Sequence, residues 1–93
     1  MSETEIQEVI AEVLAEVQEL GGHEAPTIEG GISPIGQLEG FDSLVSIEAT
    51  ALIEERLGLQ LHTESIFITE EKQSLTVAEV VKRIVTIAAE AHS

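Results

Sequence analysis

Two stretches of this chain repeat apolar residues at intervals of three and four, and that spacing commits both to helices. In the first, Ile6, Val9, Ile10, Val13, Leu14, Val17 and Leu20 fall on one face at about 100° per residue. Glu3, Glu8, Glu12, Glu16 and Glu19 line the opposite side. Ser2 with Glu5 makes a capping box at its start. Gly21-Gly22 supplies a left-handed stop at its end. In the second stretch, Thr76 with Glu79 gives another capping box, and Val77, Val80, Val81, Ile84, Ile87 and Ala88 form the stripe. Lys82 and Arg83 lie near its middle. Such stripes are stable only when buried against partners, so the elements between them must complete a core.

Between these two stretches another helix, the second in chain order, is expected from Ser43 to about Leu57, capped by Asp42 and stopped at Gly58. Ala49, Leu52, Ile53 and Leu57 share the side suited to the core. Leu44, Ile47, Glu48, Ala51, Glu54 and Glu55 share the other. Three apolar residues among three acids make a face suited to docking a partner rather than to plain solvation. The long connection from Gly21 to Phe41 exceeds the usual length of a structureless loop. Ile28, Ile32, Ile35, Leu38 and Phe41 recur along it and should pin it across the bundle, with a single helical turn opening at Ser33-Pro34-Ile35. A short helix starting at Thr63 or Glu64 is expected before Glu70-Glu71-Lys72-Gln73. The prediction is one all-α domain over residues 1–93, a four-helix bundle with a long loop between helices 1 and 2 and a short third helix.

Charge narrows the function classes. Eighteen acidic residues stand against four basic ones, a net charge of −14. Such a surface cannot displace counterions from phosphates, which excludes nucleic acid, and it steers the chain toward partners with basic patches. No cysteine is present, so the polypeptide offers no disulfide, thiolate metal site or thiol nucleophile. Any thioester chemistry requires a thiol brought by a prosthetic group. Neither a secretory signal nor a membrane span is visible; a cytoplasmic protein without membrane insertion is expected, and a monomer, because like charges repel. Ser43 lacks the Gly-x-Ser-x-Gly setting of a hydrolase nucleophile. His23, His62 and His92 are scattered without ligand spacing, calcium-loop spacing is absent, and the adjacent pairs Glu54-Glu55 and Glu70-Glu71 point apart on a helix. Neither an enzyme nor a metal site is expected.

Ser43 follows a natural N-cap at the head of an acidic amphipathic helix, where the dipole and free N–H groups favour a negative group such as a phosphate. With Gly40-Phe41-Asp42-Ser43-Leu44 near mid-chain, the acidic helix after it, and Leu75-Thr76-Val77-Ala78-Glu79-Val80-Val81 opening the last helix, the chain resembles the acyl carrier proteins over most of its length. The resemblance implies that Ser43 carries a covalent 4′-phosphopantetheine derived from coenzyme A. Asp42 would then be read by the phosphopantetheinyl transferase that installs it. It also implies that Leu44, Ile47, Glu48, Ala51, Glu54 and Glu55 meet an acyl ligase, ketosynthase or acyltransferase with a basic docking patch, in a fatty-acid, lipid or polyketide-type pathway. Val45, where many such carriers have an acid, and Arg56 near the helix end depart from the family pattern. They favour a dedicated pathway over bulk fatty-acid synthesis. Gly40-Phe41-Asp42-Ser43 also differs from the Gly-Gly-x-Ser pattern of peptidyl carriers. The competing expectation is a non-enzymatic acidic module whose second long helix docks a basic partner and whose serine is incidental.

Overall fold

The computed structural model of the chain describes residues 2–24 and 28–91. The architecture is all-α, with helices α1 (Glu3–Leu20), α2 (Pro34–Gln37), α3 (Ser43–Leu57) and α4 (Val77–Ala91). Their boundaries follow from side-chain chemistry. Ser2 Oγ accepts the Glu5 N–H at 3.2 Å. At the other end of α1 the chain turns through Gly22 at φ 83°, and His23 N–H returns to Gln18 O at 2.9 Å. Gly58, at φ 64° and ψ 33°, ends α3. For α4 the box between Thr76 and Glu79 is closed in both directions, at 2.9 and 3.2 Å. The Thr76 backbone N–H, reinforced by the Thr76 hydroxyl, holds the Glu79 carboxyl below its ordinary pKa.

α1 is the spine, packing against both α3 and α4. Ile6, Ile10, Val13 and Leu14 are fully buried on it, opposite Ala49 and Ile53 of α3 and Val77, Val80 and Ile84 of α4. Leu20 departs from the expected stripe: it is 79% exposed, because α1 ends there and the chain turns away before any element covers it. The connection to α3 lies against the core as expected, with Leu38 and Phe41 buried and Ile28, Ile32 and Ile35 half-buried on it. The carbonyls of Gly30 and Ile32 accept the N–H groups of Ala78 and Val77 at 2.9 and 2.8 Å, so the loop completes the cap of α4. The proline turn is present as α2, although its backbone leaves helical angles at Ile35 and Gly36.

No helix forms between Gly58 and Val77. The fourth helix of the fold is therefore α2, and the short helix expected from Thr63 or Glu64 is replaced by turns and one antiparallel bridge between Ile68 and Ser74. The reason is local competition for backbone donors. Thr50 Oγ1, fully buried on α3, accepts the Ile66 N–H at 3.0 Å, and Ser65 Oγ accepts the Phe67 N–H at 3.3 Å. Both donors are thereby withheld from a helical ladder. Ile66 and Phe67 are both fully buried beneath these bonds. The Phe67 ring meets Phe41 edge to face, centroids 5.4 Å apart. On the other side, Arg83 of α4 donates to the carbonyls of Ile66 and Ile68 at 3.3 and 3.0 Å. This segment fills the space between α3 and α4 and bonds to both.

Candidate functional site

The head of α3 is built so that Ser43 projects outward. Phe41, 4% exposed, anchors the chain just before the helix, and Gly40 at φ 72° makes the bend that brings it there. A Cβ on Gly40 would lie 2.7 Å from Nε2 of His23, so the imidazole rests directly on the glycine. Its Nδ1 stands 3.6 Å from the Glu39 carboxylate. Asp42 then caps α3, its Oδ1 accepting the Val45 N–H at 2.9 Å and its carbonyl the Ser46 N–H at 2.9 Å. Ser43 is the first helical residue, and its side chain is exposed. Among the described residues no acceptor meets the N–H of Ser43 or Leu44. These two donors at the positive end of the helix can receive an anionic oxygen.

Beneath Ser43 lies a hydroxyl relay. Ser65 Oγ donates to Ser46 Oγ at 2.8 Å, and Ser46 Oγ donates to the Ser43 carbonyl at 2.6 Å. Thr50 Oγ1 donates to the Ser46 carbonyl at 2.7 Å. Ser46 and Thr50 are fully buried, so the first turns of α3 rest on satisfied polar contacts as well as on the apolar packing of Ala49. Sequence reasoning missed this relay. Its signal was present: two hydroxyl residues four apart, on a helix whose Ala49 and Ile53 are core, point toward whatever packs beside them.

The outward face holds most of its expected members. Leu44 is 72% and Ile47 39% exposed, and Glu48, Ala51 and Glu55 are exposed beside them. Glu54 differs. It is half-buried and its Oε2 accepts the Leu61 N–H at 2.8 Å, because the chain after Gly58 folds back over that side of the helix. Its carboxylate is engaged within the fold and is not a free member of the exposed face. Arg56 is also engaged, bridging across the surface to Glu16 and, at 3.7 Å, to Glu12 of α1.

A cleft of about 400 Å³ opens beside this helix head. Ser43 and Ile47 form one wall, the segment 62–72 a second, and Arg83 of α4 a third. On the other flank of α3 a groove of about 230 Å³ runs between Val17 and Leu20 of α1 and Val45, Glu48 and Leu52 of α3. The first cleft was not foreseen, since its walls are distant in sequence. Arg83 alone carried a hint: three residues after Val80 and four before Ile87, it sits at the edge of an apolar stripe. Of the histidines, His62 lines this cleft, His23 supports Gly40, and His92 lies outside the described residues. No helix among the described residues is long and apolar enough to cross a membrane. Comparison with protein-family models, curated proteins and solved structures found no match to this chain.

Proposed function

We propose that this chain is an acyl carrier protein modified at Ser43 with 4′-phosphopantetheine. The observation that carries the reading is an exposed hydroxyl at the first residue of a capped helix, with two unpartnered N–H groups beside it and a cleft at its side. A phosphodiester formed at that oxygen meets the positive end of α3 and displaces no packed group. In the transfer, Ser43 Oγ attacks the pantetheine-bearing phosphorus of coenzyme A. The pyrophosphate bond breaks, the hydroxyl proton passes to a base of the transferase, and adenosine 3′,5′-bisphosphate leaves. Once attached, the arm supplies a thiol that carries acyl groups as thioesters.

The chain's own residues tether, present and recognise. Asp42 fixes the helix start and holds Ser43 in register. Leu44 and Ile47 offer apolar area at the rim of the site, and Glu48 and Glu55 lie beside them to orient a basic surface. Charges at such a rim set association rate, while the apolar pair contributes desolvation once docked. Tethering then raises the effective concentration of cargo at each enzyme visited.

The test is incubation of the purified chain with coenzyme A and a broad-specificity phosphopantetheinyl transferase, read by intact-mass spectrometry. One arm should add to the native chain and none to Ser43→Ala. Absence of any mass gain with several transferases overturns the proposal. The exposed Leu44 and Ile47 also suit a plain acidic docking module. Under that second reading Ser43→Ala retains biological activity while Ile47→Ala removes it.

A further inference from the structure

We propose, on the footing of the carrier reading, that the cleft beside Ser43 receives a short acyl group ending in a carboxylate, which Arg83 and Lys72 bind. Three independent features converge there. The first is charge. Of four basic residues in a chain of net charge −14, Arg56 is taken up by Glu12 and Glu16, whereas Lys72 and Arg83 both line this cleft. Among the described residues neither has a carboxylate within ion-pair distance. Arg83 is half-buried, and its Nη1 is aimed by the Ile66 and Ile68 carbonyls. A partly desolvated guanidinium held by neutral oxygens retains unmatched charge and a planar set of donors suited to a carboxylate.

The second feature is backbone strain. Among the described residues, His62 at φ 56° and Lys72 at φ 68° are the non-glycine positions in the left-handed region, and both line this cleft. Lys72 is kept there by a tight turn in which its N–H donates to Thr69 O at 2.9 Å and Thr69 N–H donates to Gln73 O at 2.9 Å. Strain of this kind persists where surrounding structure over-determines it, and it gathers at binding sites. The third feature is the lining. Beyond Ile47 and Ile68 the walls are polar: hydroxyls, the His62 imidazole and charged groups. A long alkyl chain would desolvate those groups without satisfying them, which disfavours it against a short polar one.

Glu64 and Glu70 also border the cleft and are exposed to solvent. They discourage free anions from entering, whereas a tethered anion reaches Arg83 because the arm supplies its local concentration. The phosphodiester itself is fixed at Ser43 Oγ, against the helix N–H groups, which leaves the cations on the facing walls to the far end of the arm.

Three forms test the assignment: the chain loaded from coenzyme A, from pentanoyl-coenzyme A and from glutaryl-coenzyme A, the two acyl groups matched in carbon count. Hydrolysis of each thioester is measured relative to the same thioester on free coenzyme A, and the Arg83 Nε–H resonance is followed by NMR. Glutaryl should be protected roughly fivefold more than pentanoyl, with the difference lost at high salt and in Arg83→Gln, and reduced in Lys72→Gln. Lys72→Gln keeps the test sound if Arg83→Gln loosens the segment that Arg83 braces. Equal protection of both acyl groups overturns the inference, as does an Arg83 shift already complete with the unacylated arm. Failure to load any arm overturns the carrier reading itself, and this inference with it.

Discussion

Thr50→Val removes one oxygen and keeps the shape of the side chain, so it isolates the bond that holds the irregular segment to α3. Thr50 Oγ1 accepts the Ile66 N–H at 3.0 Å, and both residues are fully buried. The carbonyl of Ser46 loses only a second donor. The Ile66 N–H loses its partner altogether, and a buried donor left unsatisfied costs about 1–3 kcal/mol. A buried methyl in place of the hydroxyl returns up to about 0.8 kcal/mol. The net expectation is a loss of roughly 0.2–2 kcal/mol, which for a domain of this size lowers the melting midpoint by up to about 15 °C. Urea unfolding should show a lower midpoint with an unchanged slope, since the surface exposed on unfolding stays the same. Hydrogen exchange at the Ile66 amide should accelerate beyond the global change. Thr50→Ser keeps the oxygen and should retain that amide's protection. A Val variant as stable as the parent, with the Ile66 amide equally protected, would refute the idea that buried hydroxyls hold this segment.

Other outcomes follow from the same structure. Gly40→Ala should cost about 1–2 kcal/mol in urea unfolding, because a side chain is forced into the left-handed region while its Cβ presses on His23. His23→Ala in that background should recover only the steric part, and full recovery would count against the backbone term. The lowered pKa of Glu79 makes its contribution to stability complete above the ordinary glutamate value and progressively lost as pH falls through the lowered one. Thr76→Ala should therefore flatten the acid limb of a stability–pH curve, and an unaltered limb would exclude this source. Added salt should raise the melting midpoint, since a net charge of −14 repels itself across a small surface; an unchanged midpoint in a salt titration would refute this.

The long helices were legible because each is specified by neighbours in sequence. Ser2 with Glu5, Asp42, Thr76 with Glu79, and Gly58 act within three or four residues, and the stripes of α1 and α4 repeat with the helical period. The exposed position of Ser43 follows from the same local rule, one residue beyond a cap. The segment between Gly58 and Val77 obeys partners far away instead: Ile66 answers to Thr50, Ser65 to Ser46, and the carbonyls of Ile66 and Ile68 to Arg83. No window of neighbouring residues contains those pairs, so a helix was read where turns occur. The cleft was invisible for the same reason, being assembled from α3, that segment and α4. Glu54 was assigned outward by its angle on the helix, correctly for a bare cylinder, before the returning chain laid Leu61 across it.

The two phenylalanines join the residue two before Ser43 to the segment that walls the cleft's far side. In a chain without tryptophan or tyrosine, no other six-membered carbocycle supplies a strong magnetic field to its neighbours. Proton resonances of Phe41 and Phe67 therefore serve as a built-in gauge of the gap between helix head and cleft wall. Any cargo or visiting enzyme that pries those two edges apart should move these few lines, in a spectrum with little else to crowd them.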